Sequence, residues 1–549
     1  MATPVSVFDH QPLRDRRCLR AARGEDRLGS LPDDMIHLVL RRLDTRSALA
    51  TATLSRRWAR LPCELPVLDF KVRDVLPERY RRYLRRRAHV ANLCGASIKI
   101  QKLDLLLGRY ERRGMRSLVA SLAGFLDADD NIEPHRRVQR VSLEIFPTHN
   151  PGSWNRLIAT AIGRWGVEDL EVIVLNPDAR HGAASYSFPH RYLDAHLADV
   201  GEVKLKSLKL SNFAPHAFGL DANLPPSRAF SALAMLVLQD MPMSTPRRVY
   251  EGVILACPAL EVLYLMSCGC DRRCLVVDAP GSRIKELLVE LTGDTLGMID
   301  LRALPRLERL TCTGAPLQLK FGSVPRLARL NLTYDEDAST IAPGDRNMYT
   351  LSKFMDLPSL EDLVIRFTGP QMWVTPSRSA PQLGKLKRLR VADMPPSWDI
   401  TWTRYLLEAA PFLETLHIHV AVDDDDAASE HLQQAPNTPH WGAVASKLIR
   451  WPPSSSEFKH RRLREVAVCG FKGTWRQVHF VRFLRRACTA LRDVVLLSHG
   501  RVREKGLWDW ETLAAKHECQ WIEAERRSVM RKIEGANAIA CCTSRIVLR

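Results

Sequence analysis

The 549-residue sequence contains no run of 18 apolar residues, so no membrane-spanning helix is expected. Residues 1–10 lack an apolar core behind a basic start, and no secretory leader is expected there either. Motifs that carry catalysis are also missing: there is no G-x-x-x-x-G-K-[ST], no H-E-x-x-H, no G-x-S-x-G and no G-x-G-x-x-G. Phosphate-cradling loops, zinc-peptidase helices and nucleophile elbows are thereby excluded, and neither an active site nor a cofactor is expected. Thirty-three prolines and 28 glycines are too few for disorder throughout.

Metal-binding patterns are thin. Cys268, Cys270 and Cys274 fall within seven residues, with Cys257 upstream. A structural zinc site wants paired Cys-x-x-Cys or Cys/His sets, and here two of the cysteines bracket a repeat, where small buried residues are routine. The expectation is no metal. The 13 cysteines are odd in number and scattered, which reads as free thiols in a reducing compartment, cytosol or nucleus. His417 and His419 alternate along one extended segment and should face the same way, as a solvated pair.

What is abundant is positive charge. The formal balance is +18, and residues 1–100 carry 21 Lys and Arg against 11 Asp and Glu. Arg79, Arg81, Arg82, Arg85, Arg86 and Arg87 crowd nine residues. Such a front end suits nucleic acid, an anionic membrane or an acidic protein.

Residues 1–25 form a polar basic tail, expected to be disordered. Residues 27–61 change character. Leu28, Leu31, Met35, Ile36, Val39, Leu40 and Leu43 recur at helical spacing, and Leu49, Thr53, Leu54, Trp58 and Leu61 form a second set. Pro32 suits a first helical turn, Asp33 and Asp34 suit its dipole, and Asp44 or Thr45 caps the next helix. About 35 residues cannot bury much surface alone, so this module must lean on a neighbour or a partner.

From residue 98 onward an apolar-x-x-apolar-x-apolar unit recurs. Fourteen copies begin at Ile100, Val138, Val167, Leu205, Leu233, Leu260, Ile284, Leu307, Leu327, Leu360, Leu386, Leu413, Leu463 and Leu491, with a median spacing of 28. That period is the leucine-rich-repeat signature. Five units carry a proline two residues upstream: Pro258, Pro305, Pro325, Pro358 and Pro411. Each unit is one strand and a return segment that cannot bury its own apolar side, so stacking should build one core under a parallel sheet. Return segments such as 403–410 and 478–487 read as helices. The 423–460 stretch, opening on Asp423 to Asp426, reads as a solvated inserted loop rather than a calcium loop. The 501–549 tail has helical stretches at 510–516 and 521–533 and an apolar end, Ile546 to Leu548, with no obvious place on the solenoid.

Residues 26–61, DRLGSLPDDMIHLVLRRLDTRSALATATLSRRWARL, resemble the F-box of plant F-box proteins. The match runs without a gap from Asp26-Arg27-Leu28 through Leu31-Pro32-Asp33-Asp34 to Ser55-Arg56-Arg57-Trp58, departing at Arg41-Arg42 and at Leu61-Pro62. The repeats resemble the leucine-rich arm of the same class, most closely in CPALEVLYLMSC from Cys257 to Cys268. Residues 463–497 resemble its C-terminal FBD region around Gly470, Phe471, Gly473, Phe480, Leu484, Ala487 and Leu491. The fold this implies is a small all-α F-box module (26–65), a basic helical linker (66–97) and an α/β leucine-rich-repeat solenoid (98–500) with a parallel sheet on its concave face.

The function implied is a non-catalytic subunit of a Skp-cullin-F-box ubiquitin ligase, in the nucleus or cytoplasm. The F-box would bind a Skp-type adaptor, and through it a cullin-RING complex; the repeats would bind a protein substrate. The adaptor contacts carried over are Leu31, Pro32, Met35, Ile36, Leu40, Leu43, Leu49, Leu54 and Trp58, some of which must instead form the module's own core. On the concave face the central outward positions read Asp104, Ser142, Glu171, Lys209, Val237, Tyr264, Leu288, Thr311, Asn331, Val364, Arg390, His417, Ala467 and Val495. The mixture suits a protein surface better than a phosphate backbone. Tyr264 and Arg390 are its candidate substrate anchors, because aromatic and arginine side chains dominate binding hot spots. The alternative is a basic nucleic-acid-associated or scaffolding protein with no ligase role.

Overall fold

The computed structural model describes residues 31–548 apart from the segments 52–53, 55–56, 59–63, 92–96, 130–136, 147–150, 176–187, 198–201, 214–227, 293–295, 316, 335–348, 351–356, 358, 368–373, 376–382, 395–399, 422–457, 499, 506–508, 515–520 and 535–543. The expected tail 1–25 and most of the expected inserted loop lie outside the described residues.

Two short helices, α1 (Asp33–Leu40) and α2 (Thr45–Ala50), open the described chain. The Asp44 carboxylate caps α2 by accepting from the Ser47 backbone N–H at 2.9 Å. Strand β1 (Val67–Lys71) follows, then α3 (Glu78–Ala91) and the long α4 (Ser97–Asp129). Here the structure corrects the sequence reading. The unit expected at Ile100 lies inside α4, and the first strand of the sheet lies earlier, within the segment expected to be a helical linker. The six-residue pattern is ambiguous: Leu103, Leu107, Met115, Leu118, Leu122 and Leu126 are buried at spacings of three, four and eight, the period of one helix face. Asp104 therefore sits on a helix, paired with Arg87 at 2.5 Å, and not on the concave face.

Among the described residues fifteen strands form one parallel sheet, from β1 through Arg140–Ile145 and Asp169–Val174 to Glu465–Cys469, Asp493–Leu497 and Arg545–Leu548. The other thirteen expected units each contribute a strand to it. Two ladders of aliphatic side chains run the length of the sheet on its inner side. One passes through Leu170, Leu208, Leu236, Leu263 and Leu287, the other through Val172, Leu210, Leu238, Leu265 and Val289, all nearly inaccessible. A single core runs from Ile36 to Leu548. The apolar end of the chain thus has a definite place: Ile546 and Val547 pair with Val494 and Val495 as the last strand.

The outer side of the solenoid follows unit length. Longer units carry helices such as Gly152–Gly163 and Arg247–Ala256, and the expected return helices appear as Thr403–Ala409 and Trp475–Ala487. The units starting at Leu260, Ile284 and Leu307 span only 24, 23 and 20 residues. They instead hold short strands, Cys274–Asp278, Met298–Ala303 and Gln318–Ser323, which form a second parallel sheet. A helix rises 1.5 Å per residue and a strand about 3.3 Å, so a short return can cross the unit only in extended form. The 510–516 stretch, expected to be helical, is also a strand: Asp509–Ala514 pairs antiparallel with Gly500–Lys505. The helix expected at 521–533 is present as Glu523–Glu534.

In several units the sixth residue counted from the start of the strand adopts positive φ: Asn212, Asp240, Ser267, Gly314, Asp393 and Gly470. Asn, Asp and Gly tolerate that conformation best. At Asn212, Asp240 and Ser267 the backbone N–H then donates to the carbonyl of the following strand, which continues the ladder past the turn. A Cβ at Gly314 would fall 1.9 Å from the Leu291 carbonyl oxygen, whereas one at Gly384 would meet nothing within 4 Å. Gly314→Ala is therefore expected to cost about 1–3 kcal/mol and lower the melting temperature, while Gly384→Ala leaves it unchanged; paired thermal denaturation curves check this.

Candidate interaction surfaces

The first surface is the helical module. Ile36 and Leu40, one turn apart on α1, are buried, as is Trp58. The Arg57 guanidinium ties the two ends of the module together, lying 2.6 Å from Asp33 and donating to the Leu31 carbonyl at 2.5 Å. The module is also anchored to the solenoid: the Asp69 N–H on β1 donates to the Thr45 hydroxyl at 2.7 Å. Its seating sorts the nine residues expected to bind an adaptor. Ile36, Leu40 and Trp58 belong to the internal core, and Leu31 and Leu49 pack against it half-buried. Pro32, Met35, Leu43 and Leu54 face solvent, with Met35 48% and Leu54 64% exposed. Leu38 at 56% and Val39 at 40%, not among those nine, are exposed as well. The helical period held the signal, because Ile36 and Leu40 facing inward leaves residues 35, 38 and 39 outward.

The second surface is the concave face of the sheet. Strand register places the expected central residues in one continuous row from Ser142 to Val495, with Asp69 replacing Asp104 at the start and Val547 added at the end. Tyr264 and Arg390 both lie on this row, but they are five strand spacings apart, roughly 24 Å at about 4.8 Å per step, so they do not form one pocket. The Tyr264 hydroxyl donates to Glu286 at 2.6 Å, and Arg309 approaches the same carboxylate at 3.4 Å. Burial and that carboxylate push the Tyr264 phenol well above its ordinary value. Arg390 stands beside His417 in register.

Charge on this face is largely internally compensated. Burial disfavours the Glu171 carboxylate, yet hydrogen bonds from Lys209, Ser142 and Arg140 outweigh it and hold its carboxyl below the usual range. Arg388 meets Asp362 at 3.1 Å and His417 meets Glu465 at 3.3 Å. His419 departs from expectation. It shares a face with His417 but is buried, with Nδ1 2.8 Å from Asp393, whose other oxygen takes the Arg366 guanidinium. The positive-φ turn at Asp393 carries the carboxylate over the neighbouring strand, which a single-strand reading does not contain. Burial raises the Asp393 carboxyl, but His419 and Arg366 outweigh it and hold it below the usual range.

The cysteines of the 257–274 region act as small core residues. Cys257, Cys268 and Cys270 are buried, and Cys268 Sγ donates to the Leu238 carbonyl at 3.2 Å. Burial pushes the Cys257 and Cys268 thiols up to about 12. Among the described residues no cluster of three or more His, Cys, Asp or Glu is arranged to hold a metal ion, and no helix is long and apolar enough to cross a membrane.

His460 ties the segment before the strand Glu465–Cys469 to the preceding unit. Its Nδ1 accepts from the Leu463 N–H at 3.0 Å and the Arg462 N–H at 3.3 Å, and its Nε2 donates to the Ala410 carbonyl at 2.9 Å. Only the neutral ring can do both, and burial lowers its pKa from the ordinary 6.5. A histidine kept neutral by the fold contributes stability that is complete above 6.5 and lost as pH falls through the folded value, because the unfolded chain takes up the proton first. The depressed Asp393 carboxyl acts with the same sign at lower pH. The melting temperature is expected to fall as pH drops from 7.5 to 5.5. In His460→Gln it should be lower at pH 7.5 but fall less steeply, as measured by calorimetry at both pH values.

Comparison with known proteins agrees with this geometry. An F-box domain model matches residues 28–68, and the At1g61320/AtMIF1 LRR domain model matches residues 136–530. A putative F-box/LRR-repeat protein of Arabidopsis thaliana, At3g28410, is 40% identical over 58 residues, 11% of this chain and 12% of that protein. The F-box/FBD/LRR-repeat protein At5g53840 of the same plant is 28% identical over 124 residues, 22% of this chain and 24% of that one. The chain thus aligns with a quarter or less of these two relatives. A putative F-box protein, At3g58860, aligns over 476 residues at 21% identity, covering 86% of this chain and 88% of its own length. With a helical F-box seated on a parallel leucine-rich-repeat sheet and a repeat-domain match spanning residues 136–530, the chain belongs to the F-box/leucine-rich-repeat proteins.

Proposed function

We propose that this protein is the substrate-recruiting, non-catalytic subunit of a Skp-cullin-F-box ubiquitin ligase. The observation that carries this reading is the sorting of the N-terminal module. Its inner side is merged with the solenoid core, and its outer side presents Met35, Leu38, Val39, Leu43 and Leu54 to solvent. Five large exposed apolar side chains within twenty residues, three of them on the outer side of α1, are surface that water disfavours and that a Skp-type adaptor would cover. The adaptor would connect the chain to a cullin-RING complex. On the concave row Ser142, Val237, Leu288, Thr311, Asn331 and Val364 are buried, and the partly exposed Glu171, Lys209, Tyr264, Arg390 and His417 between and beyond them suit a protein substrate more than a phosphate backbone. Tyr264 and Arg390 are proposed as separate anchor points on that row. Ubiquitin transfer then follows from proximity, since tethering raises the effective concentration of substrate lysines near the charged conjugating enzyme. The reading places the protein in the nucleus or cytoplasm, in keeping with its buried free thiols.

Met35→Asp with Leu38→Asp is expected to weaken capture of a recombinant Skp-type adaptor by about tenfold or more while leaving the melting temperature unchanged. Ile36→Ala, in contrast, should destabilise by about 2–5 kcal/mol. Isothermal titration against the adaptor, paired with thermal denaturation, separates the two effects. Full adaptor binding by the double variant would refute the assignment.

A further inference from the structure

On the concave face the outward positions are the first, third and fifth of each strand, because the second and fourth carry the core ladders. Of the fifteen described strands in the main sheet, thirteen hold at least one Asp, Glu, Lys, Arg or His at an outward position. The two that hold none are neighbours. Met235–Gln239 presents Met235, Val237 and Gln239, and Val262–Met266 presents Val262, Tyr264 and Met266. Register sets Met235 beside Val262, Val237 beside Tyr264 and Gln239 beside Met266, and Leu288 continues the middle line on the next strand. Val237 and Leu288 are buried and make a floor, around which Met235, Val262, Tyr264 and Met266 stand half-buried. Adjacent strands lie about 4.8 Å apart, so these side chains form one continuous apolar island.

The two ends of the island differ in charge. At the strand starts acids and bases are paired: Lys285 meets Glu261 at 2.9 Å and Arg309 meets Glu286 at 3.4 Å. At the strand ends Met266 stands between two acids. Glu290 is its partner in register, and Asp240, in the left-handed turn after Gln239, donates its backbone N–H to the Met266 carbonyl at 2.9 Å. The Asp240 carboxylate accepts from neutral groups, Ser211 at 3.3 Å and Gln239 at 3.1 Å. Among the described residues neither Asp240 nor Glu290 has a basic partner. Two uncompensated carboxylates repel a phosphate backbone and attract a lysine or arginine side chain. The apolar centre is released from water by an apolar or aromatic side chain, and its methionines adapt to the shape of what they meet. A desolvated apolar centre inside a polar rim is the arrangement of a binding hot spot.

We infer that this island takes a protein segment presenting an apolar or aromatic anchor with lysine or arginine beside it, the basic residue lying toward Asp240 and Glu290. This rests on the reading of the concave face as the substrate surface and names the chemistry of the substrate there.

The test is selection of random linear peptides displayed on phage against the full-length protein, followed by fluorescence polarisation with the enriched peptide. The expected peptides share an apolar or aromatic residue within a few positions of lysine or arginine. Binding should weaken by about tenfold or more in Tyr264→Ala/Met266→Ala. It should also weaken in Asp240→Asn/Glu290→Gln, and there lose most of its salt dependence. Lys320→Gln, at an exposed position on the second sheet, should leave it unchanged. Thermal denaturation checks folding, and Glu290→Gln alone substitutes if a double variant does not fold. No enriched peptide, enriched peptides without the apolar and basic pair, full binding by both double variants, or displacement of the peptide by a DNA oligonucleotide would overturn the proposal. No adaptor is present in this assay. Its failure beside normal adaptor capture would remove the island alone, whereas failed adaptor capture beside normal peptide binding would remove the ligase reading alone.

Discussion

Stacking is the constraint on which the whole molecule rests. No repeat can close its own core: a strand offers two aliphatic side chains inward and needs the next strand's pair beside them. The ladders through Leu170, Leu208 and Leu236 and through Val172, Leu210 and Leu238 exist only because the parallel register holds residue for residue along the sheet. A one-residue slip would turn every inward leucine outward. A left-handed turn recurs at Asn212, Asp240, Ser267, Gly314, Asp393 and Gly470, and at the first three it passes the backbone ladder on to the next strand.

Such an array has two ends, and each is finished by its own segment of chain. At the N-terminal end the F-box docks on β1 through Thr45 and a shared core, which explains how so small a module holds its shape. At the C-terminal end Arg545–Leu548 completes the sheet. The helix Glu523–Glu534 packs on Trp475–Ala487, where Arg482 donates to the carbonyls of Lys532 and Ile533. The module's inner side is consumed by this docking, and among the described residues nothing covers its remaining large apolar side chains.

Electrostatics separates the two basic features of the sequence. On the concave face arginine and lysine are matched across strands, as in Arg140–Glu171–Lys209 and Arg366–Asp393–His419. Exposed pairs of this kind add little stability, but they leave a face of mixed character with little net field. In the helical pair behind β1, Glu78 takes Arg81 and Arg85 and Asp104 takes Arg87, while Arg79, Arg82 and Arg113 face solvent.

Much of this was legible in the sequence, and the reasons are local. Thirteen of fourteen repeat strands, the central concave row and the helices at 403–409 and 475–487 follow from apolar periodicity and unit spacing, which a chain carries wherever it is read. The exception at Ile100 shows the limit, because apolar residues three and five apart satisfy a strand template even inside a helix, and only packing against the neighbouring helix decides. The strand at 509–514 and the place of Ile546 to Leu548 were invisible for the same reason: a strand is defined by its partner. Nor could sequence divide Leu31, Met35, Ile36, Leu40 and Leu54 into core and surface. By itself the sequence determined which elements form and in what order, since periodicity is a property of neighbours along the chain. Tertiary structure alone decided which faces are buried and which charges meet, since burial and pairing depend on residues that the chain brings together only by folding.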